Sequence, residues 1–173
     1  MKSVTLFLAF ILFLPSCSRK SAEDLYKEGL AQEDQKNFQL AVERYEEIVK
    51  DFTREAYAES AQHRIALIYN NELRDMEKAA QAYRKCYDLF PTSKQAPTML
   101  FLSGFILNNE LHRLDSARIV YETFLQKYPD HELAASAKFE LETLGKDPNE
   151  YVQTQITSTD ESKTPQPKKA TKP

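Results

Sequence analysis

The chain repeats itself every 38 residues. Ala41, Ala79 and Ala117 stand 38 apart, and so do Tyr45, Tyr83 and Tyr121. Phe52, Phe90 and Tyr128 keep the same interval, as do Ala58, Ala96 and Ala134. A fixed period between about 20 and 50 residues marks a stacked repeat architecture, in which no unit buries its own apolar face and each neighbour covers the last. Such a chain folds as a quasi-one-dimensional array and presents a long surface, which suits binding better than catalysis.

The unit inside the period is helical. The body from Ser21 to about Lys146 is rich in Ala, Leu, Glu, Lys and Gln, all strong helix formers, and shows no strand-like alternation. Ala41, Tyr45, Ile48, Val49 and Phe52 fall at three- and four-residue steps, as do Ala117, Tyr121, Phe124, Leu125 and Tyr128. That spacing puts each set on one helical face. Pro91 and Pro129 follow the second helix of a pair and cannot continue it, while Thr53 takes that place in the first unit. Ser21 followed by Asp24 has the form of a helix start. The spacing predicts paired helices over 22–34 and 38–50, 54–71 and 75–89, and 95–109 and 114–127. A seventh helix over 131–144 has no partner. The fold expected is all-α: a superhelical array of antiparallel helix pairs, about three repeats plus a C-terminal capping helix, occupying residues 22–146.

The N-terminus reads as an export signal. Lys2 precedes an apolar run from Val4 to Leu14, far shorter than the ~20 residues that span a bilayer as a helix, and of the length of a signal-peptide core. Leu14-Pro15-Ser16-Cys17 then resembles a bacterial lipobox, with Pro15 departing from the usual small or β-branched residue. The resemblance implies a signal peptide over 1–16, acylation of Cys17 and a short tether over 17–21. Two or more acyl chains anchor a protein stably where one does not. Ser18 after the cysteine implies sorting to the outer membrane on its periplasmic face. An ordinary secretory signal with a chance cysteine, or an uncleaved anchor, are the other readings of the same residues.

The remaining composition excludes more than it assigns. Net charge is −3, which argues against nucleic acid. If Cys17 is lipidated, Cys86 is alone; it aligns with Ile48 and Phe124 and reads as a buried apolar residue. The histidines are His63, His112 and His131, with no zinc, phosphate-loop or nucleophile-elbow motif around them. No catalytic residue, metal ligand, cofactor or small-molecule substrate is therefore expected. Residues 147–173 carry four prolines among Ser, Thr, Gln and Lys and read as a disordered tail.

These residues together carry a family resemblance. Gly29, Ala66 and Gly104 match the small residue in the first helix of a tetratricopeptide repeat, Ala41, Ala79 and Ala117 the small residue opening the second, and Pro91 and Pro129 its closing proline. The family tryptophan is absent and the period exceeds the usual length. The Tyr-Pro-terminated form is similar to repeats of bacterial envelope proteins of the BamD and YbgF (CpoB) types. The resemblance implies a concave groove lined by Tyr26, His63, Phe101 and Phe139 in one row and Leu30, Leu67 and Phe105 in a second. Asn70, Asn71, Asn108 and Asn109 would lie at its rim. It would hold an amphipathic helix or an extended peptide of a protein partner in the cell envelope. A clamp for a C-terminal carboxylate is not expected, because the matching positions hold Tyr, His, Phe and Leu. The bland alternatives are that the aromatic side chains pack between repeats and that the Asn pairs simply end helices. For the whole protein, the alternatives to a lipid-anchored scaffold are a structural or self-assembling spacer and a YbgF-like factor in division or cell-wall coordination.

Overall fold

The computed structural model of the protein describes residues 19–146. The expected signal peptide, Cys17 and the tail over 147–173 lie outside the described residues. Seven α-helices follow one another: α1 (Ala22–Asp34), α2 (Phe38–Asp51), α3 (Ala56–Leu67), α4 (Met76–Leu89), α5 (Ala96–Asn109), α6 (Leu114–Lys127) and α7 (Ala134–Glu142). α3 runs on into a π-helical turn, Ile68–Glu72, and no strand occurs among the described residues. Each helix packs on the next along the chain, and α1 also meets α3. The result is the all-helical array of pairs that the period predicts, with α7 closing it.

Local chemistry sets the boundaries. The Ser21 hydroxyl accepts from the Asp24 N–H at 3.1 Å, while the Asp24 carboxylate accepts from the Ser21 N–H at 3.3 Å. This reciprocal cap satisfies two donors that a helix start leaves orphaned. The Asp75 carboxylate does the same for Lys78 N–H at the start of α4. Between pairs, the linker is the same each time. Glu55 N–H donates to the Phe52 carbonyl and Ala58 N–H to the Glu55 carbonyl; 38 residues on, Ser93 and Ala96 repeat this, and His131 and Ala134 repeat it again. These two consecutive turns explain why α3 and α7 begin later than 54 and 131: the residues before Ala56 and Ala134 belong to the linker.

The turn inside each pair also repeats. Lys36, Arg74 and His112, spaced by 38, all have positive φ, at 61°, 54° and 51°. None is glycine, so each left-handed residue costs roughly 1–2 kcal/mol that its surroundings must offset. Turn length, however, differs between units. From Gly29 to Ala41 is 12 positions, whereas Ala66 to Ala79 and Gly104 to Ala117 are 13. The extra residue is taken up by widening the last helical turn. Leu73 N–H reaches back five residues to the Ile68 carbonyl at 2.9 Å, and Leu111 N–H reaches Ile106 at 3.0 Å. In the first unit Gln35 N–H reaches back only four, to Ala31. The π turn is thus the structural trace of a one-residue insertion.

The core sits where paired helices cross. Tyr45, Tyr83 and Tyr121 are buried, as are Ala41, Ala79 and Ala117. The crossing is close enough that side chains are excluded at two positions of the first helices. A methyl group on Gly29 would lie 2.6 Å from Tyr45 Cζ, and one on Gly104 would lie 2.8 Å from Val120 Cγ1. Cys86 is buried in α4, as its alignment with Ile48 and Phe124 implies, and burial pushes its thiol up to about 12, with the Glu59 charge a smaller cause. The Gly29→Ala variant should be less stable despite alanine's better helix propensity, because the Tyr45 ring is enclosed and must shift. Overpacking of about 1–3 kcal/mol against a propensity gain of about 1 kcal/mol leaves Tm lower by roughly 5 °C in thermal unfolding.

Candidate functional site

Each pair of helices meets the next through a tyrosine of its second helix. At the first junction the Tyr45 hydroxyl donates to Glu33 at 2.5 Å, and Arg64 of α3 stands 3.2 Å from the same carboxylate oxygen. Burial, and then Glu33, hold the Tyr45 hydroxyl well above its ordinary value. Tyr26 completes this junction, its ring 5.4 Å from Tyr45 and 5.3 Å from Tyr57. At the last junction Glu140 of α7 accepts from Asn108 at 2.9 Å, from Asn109 at 3.3 Å and from the Tyr121 hydroxyl at 3.4 Å. Burial and Glu140 raise Tyr121 likewise.

The middle junction differs. Leu102 occupies the position that Glu140 holds 38 residues later, and Asn70 the place of Glu33. No carboxylate is bonded to Tyr83, whose hydroxyl makes no hydrogen bond among the described residues. Burial raises Tyr83 too, with Cys86 a smaller cause. A cavity of about 200 Å³ opens there, lined by Asn70, Arg74, Met76, Tyr83, Leu102, Phe105, Ile106 and Glu110. A related cavity of about 400 Å³ lies one repeat on, lined by Asn108, His112, Leu114, Phe139 and Glu140 among others. The two share corresponding positions: Asn70 with Asn108, Arg74 with His112, Met76 with Leu114 and Leu102 with Glu140.

The residues expected to line a groove are distributed unevenly. Asn70 and Phe105 come together in the middle cavity, and Asn108 and Phe139 in the last. Phe105 and Phe139 are 38 % and 41 % exposed. Phe101 is only 9 % exposed, with its ring 5.9 Å from Tyr121, 6.0 Å from Phe124 and 6.3 Å from Phe105. Tyr26, Leu30, His63 and Leu67 are half-buried and line neither cavity. Burial, with the Arg64 charge beside it, pushes His63 below its ordinary value, so it is neutral at pH 7. Arg74, Tyr83 and Leu102 were not singled out in the sequence as site residues. The signal for them lay in reading one column across repeats for what changes: Arg64, Leu102 and Glu140.

Among the described residues no group of His, Cys, Asp and Glu could hold a metal ion. No helix of the described residues is long and apolar enough to cross a membrane. The chemistry on offer is apolar contact flanked by hydrogen-bonding groups.

The three tyrosines should respond unequally to loss of the hydroxyl. Tyr45→Phe leaves Glu33 short of a donor in a partly buried site, so it should cost about 1–2 kcal/mol. Tyr83→Phe removes no bond, so its urea midpoint should match the parent protein's. Equal losses in equilibrium urea unfolding would refute this difference.

Comparison with known proteins agrees with the geometry. No curated protein matches the chain. Residues 25–53 and 60–93 match the family described as Tetratricopeptide repeat, and such repeats generally mediate protein–protein interactions. The third pair, beyond the matched stretches, repeats the same linker and turn hydrogen bonds. The described residues form an all-helical array of the tetratricopeptide-like kind, with the family match over its first two pairs.

Proposed function

We propose that the protein is a lipid-anchored scaffold of a bacterial cell envelope, facing the periplasm from the outer membrane, whose helical array holds a protein or peptide partner. The observation that carries the binding half is the recurrence of an open cleft at corresponding positions of two successive junctions, each pairing an exposed phenylalanine with an asparagine. A solvent-exposed aromatic beside polar side chains is the composition of a binding surface. The anchoring half is supported by the run from Val4 to Leu14 ahead of Cys17. The likeness of the repeats to the BamD and YbgF types favours a role in outer-membrane protein assembly or envelope maintenance.

Two measurements test the halves separately. A photo-crosslinking residue at Phe105 in the native cell should capture a discrete partner that the same probe at the exposed Glu122 does not. The partner's identity separates barrel assembly from cell-wall roles, and identical products from both positions would end the scaffold reading. Metabolic labelling with an alkynyl fatty acid should mark the parent protein and leave Cys17→Ser unmarked. Equal labelling of both would remove the anchor.

A further inference from the structure

We propose that the middle junction is a receptor for one acidic side chain, a Glu or Asp flanked by an apolar residue, on the partner's peptide; this rests on the scaffold reading above. The argument is internal to the molecule. The same buried tyrosine occurs at three junctions, and at two of them its hydroxyl faces a carboxylate that the chain itself supplies, Glu33 or Glu140. At the third the hydroxyl is bonded to none, although Glu110 lines the same cavity. Leu102 stands in the column of Glu140, Asn70 in that of Glu33, and both line one cavity with Tyr83 and Arg74.

The groups left around the cavity match the missing one. Tyr83 offers an unshared hydroxyl donor. Arg74 lines the same space and forms no ion pair among the described residues; its guanidinium makes one long bond, 3.4 Å, to the Asn70 carbonyl. A carboxylate placed there would accept from both, and a charge-assisted bond in a partly desolvated site is stronger than one in water. Met76, Leu102 and Phe105 form the apolar wall, and the exposed face of Phe105 gives the neighbouring ligand residue a contact. Glu110 is the sole acidic side chain lining the cavity, so it selects against a run of acids and in favour of a single one. The site reads a side-chain carboxylate between helix pairs, and a blocked peptide C-terminus leaves it unaffected.

The test uses the full chain labelled with nitrogen-15 and two peptides blocked at both ends, acetyl-Ala-Glu-Leu-Ala-amide and its Gln counterpart. At ~5 mM peptide even a millimolar site is mostly filled. The Glu peptide should shift the amides of Asn70, Arg74 and Phe105, and the Gln peptide should bind about tenfold more weakly, the worth of one charge-assisted bond. Tyr83→Phe and Arg74→Asn should each weaken Glu-peptide binding at least about fivefold with Tm unchanged; asparagine tolerates the left-handed backbone at that position. Leu102→Glu should occupy the receptor from within, as Glu140 does one repeat on, and abolish the peptide response. Should Leu102→Glu fail to fold, the other two variants decide the matter. Equal affinity for the two peptides, no shift with either, or full binding by Tyr83→Phe and Arg74→Asn would overturn the proposal. If crosslinking from Phe105 still captured a partner in that case, the scaffold would stand and only the acidic ligand would fall.

Discussion

The close crossing of paired helices is the contact on which the remainder depends. Gly29 and Gly104 lack a side chain where Tyr45, Val120 and Tyr121 press against the first helix of the pair. With that approach fixed, each tyrosine hydroxyl is carried through the pair and emerges at the boundary with the next one. The junctions, and the polar or apolar character of each, follow from a few missing atoms. Ala66 shows that the second unit has the same need for a small residue, met less completely.

The junctions then diverge on a common frame. In two of them a carboxylate bonds the tyrosine and links successive first helices. The middle one gives up that link for an apolar position at Leu102. Polar bonds across the boundary persist elsewhere around it: Arg113 pairs with Glu77 at 2.7 Å, and Lys127 donates to the Tyr87 hydroxyl at 2.8 Å. A side chain of one unit thus still ties to the next where the tyrosine does not.

Much of the fold was legible because it is written three times. The Ala and Tyr columns fixed the second helix of each pair, and the boundaries of α1 and α6 match the spacing residue for residue. The linkers were harder, since Arg54 and His131 are compatible with a helix and only the repeated turn bonds show otherwise. The π turn was present as a change from 12 to 13 positions, but a period counted from the second helices conceals it. The site was less legible for a physical reason. Family positions place Phe101 on a groove, yet exposure depends on what the following helix packs, and Tyr121 and Phe124 cover that ring. Arg74 lies in the turn and Tyr83 in α4, and what each can bond depends on the identity of a third residue from another helix, Leu102.

The burial of Cys86 has a bearing on how its thiol meets an oxidant. An oxidising compartment attacks thiols through their thiolate form, and a thiol held near 12 inside a helical core offers almost none. Oxidation of Cys86 is therefore gated by unfolding: buried it is protected, and in a copy that opens it becomes available for mixed disulfides. Cys86 is the one cysteine among the described residues, so the array's integrity is a condition of that thiol's inertness.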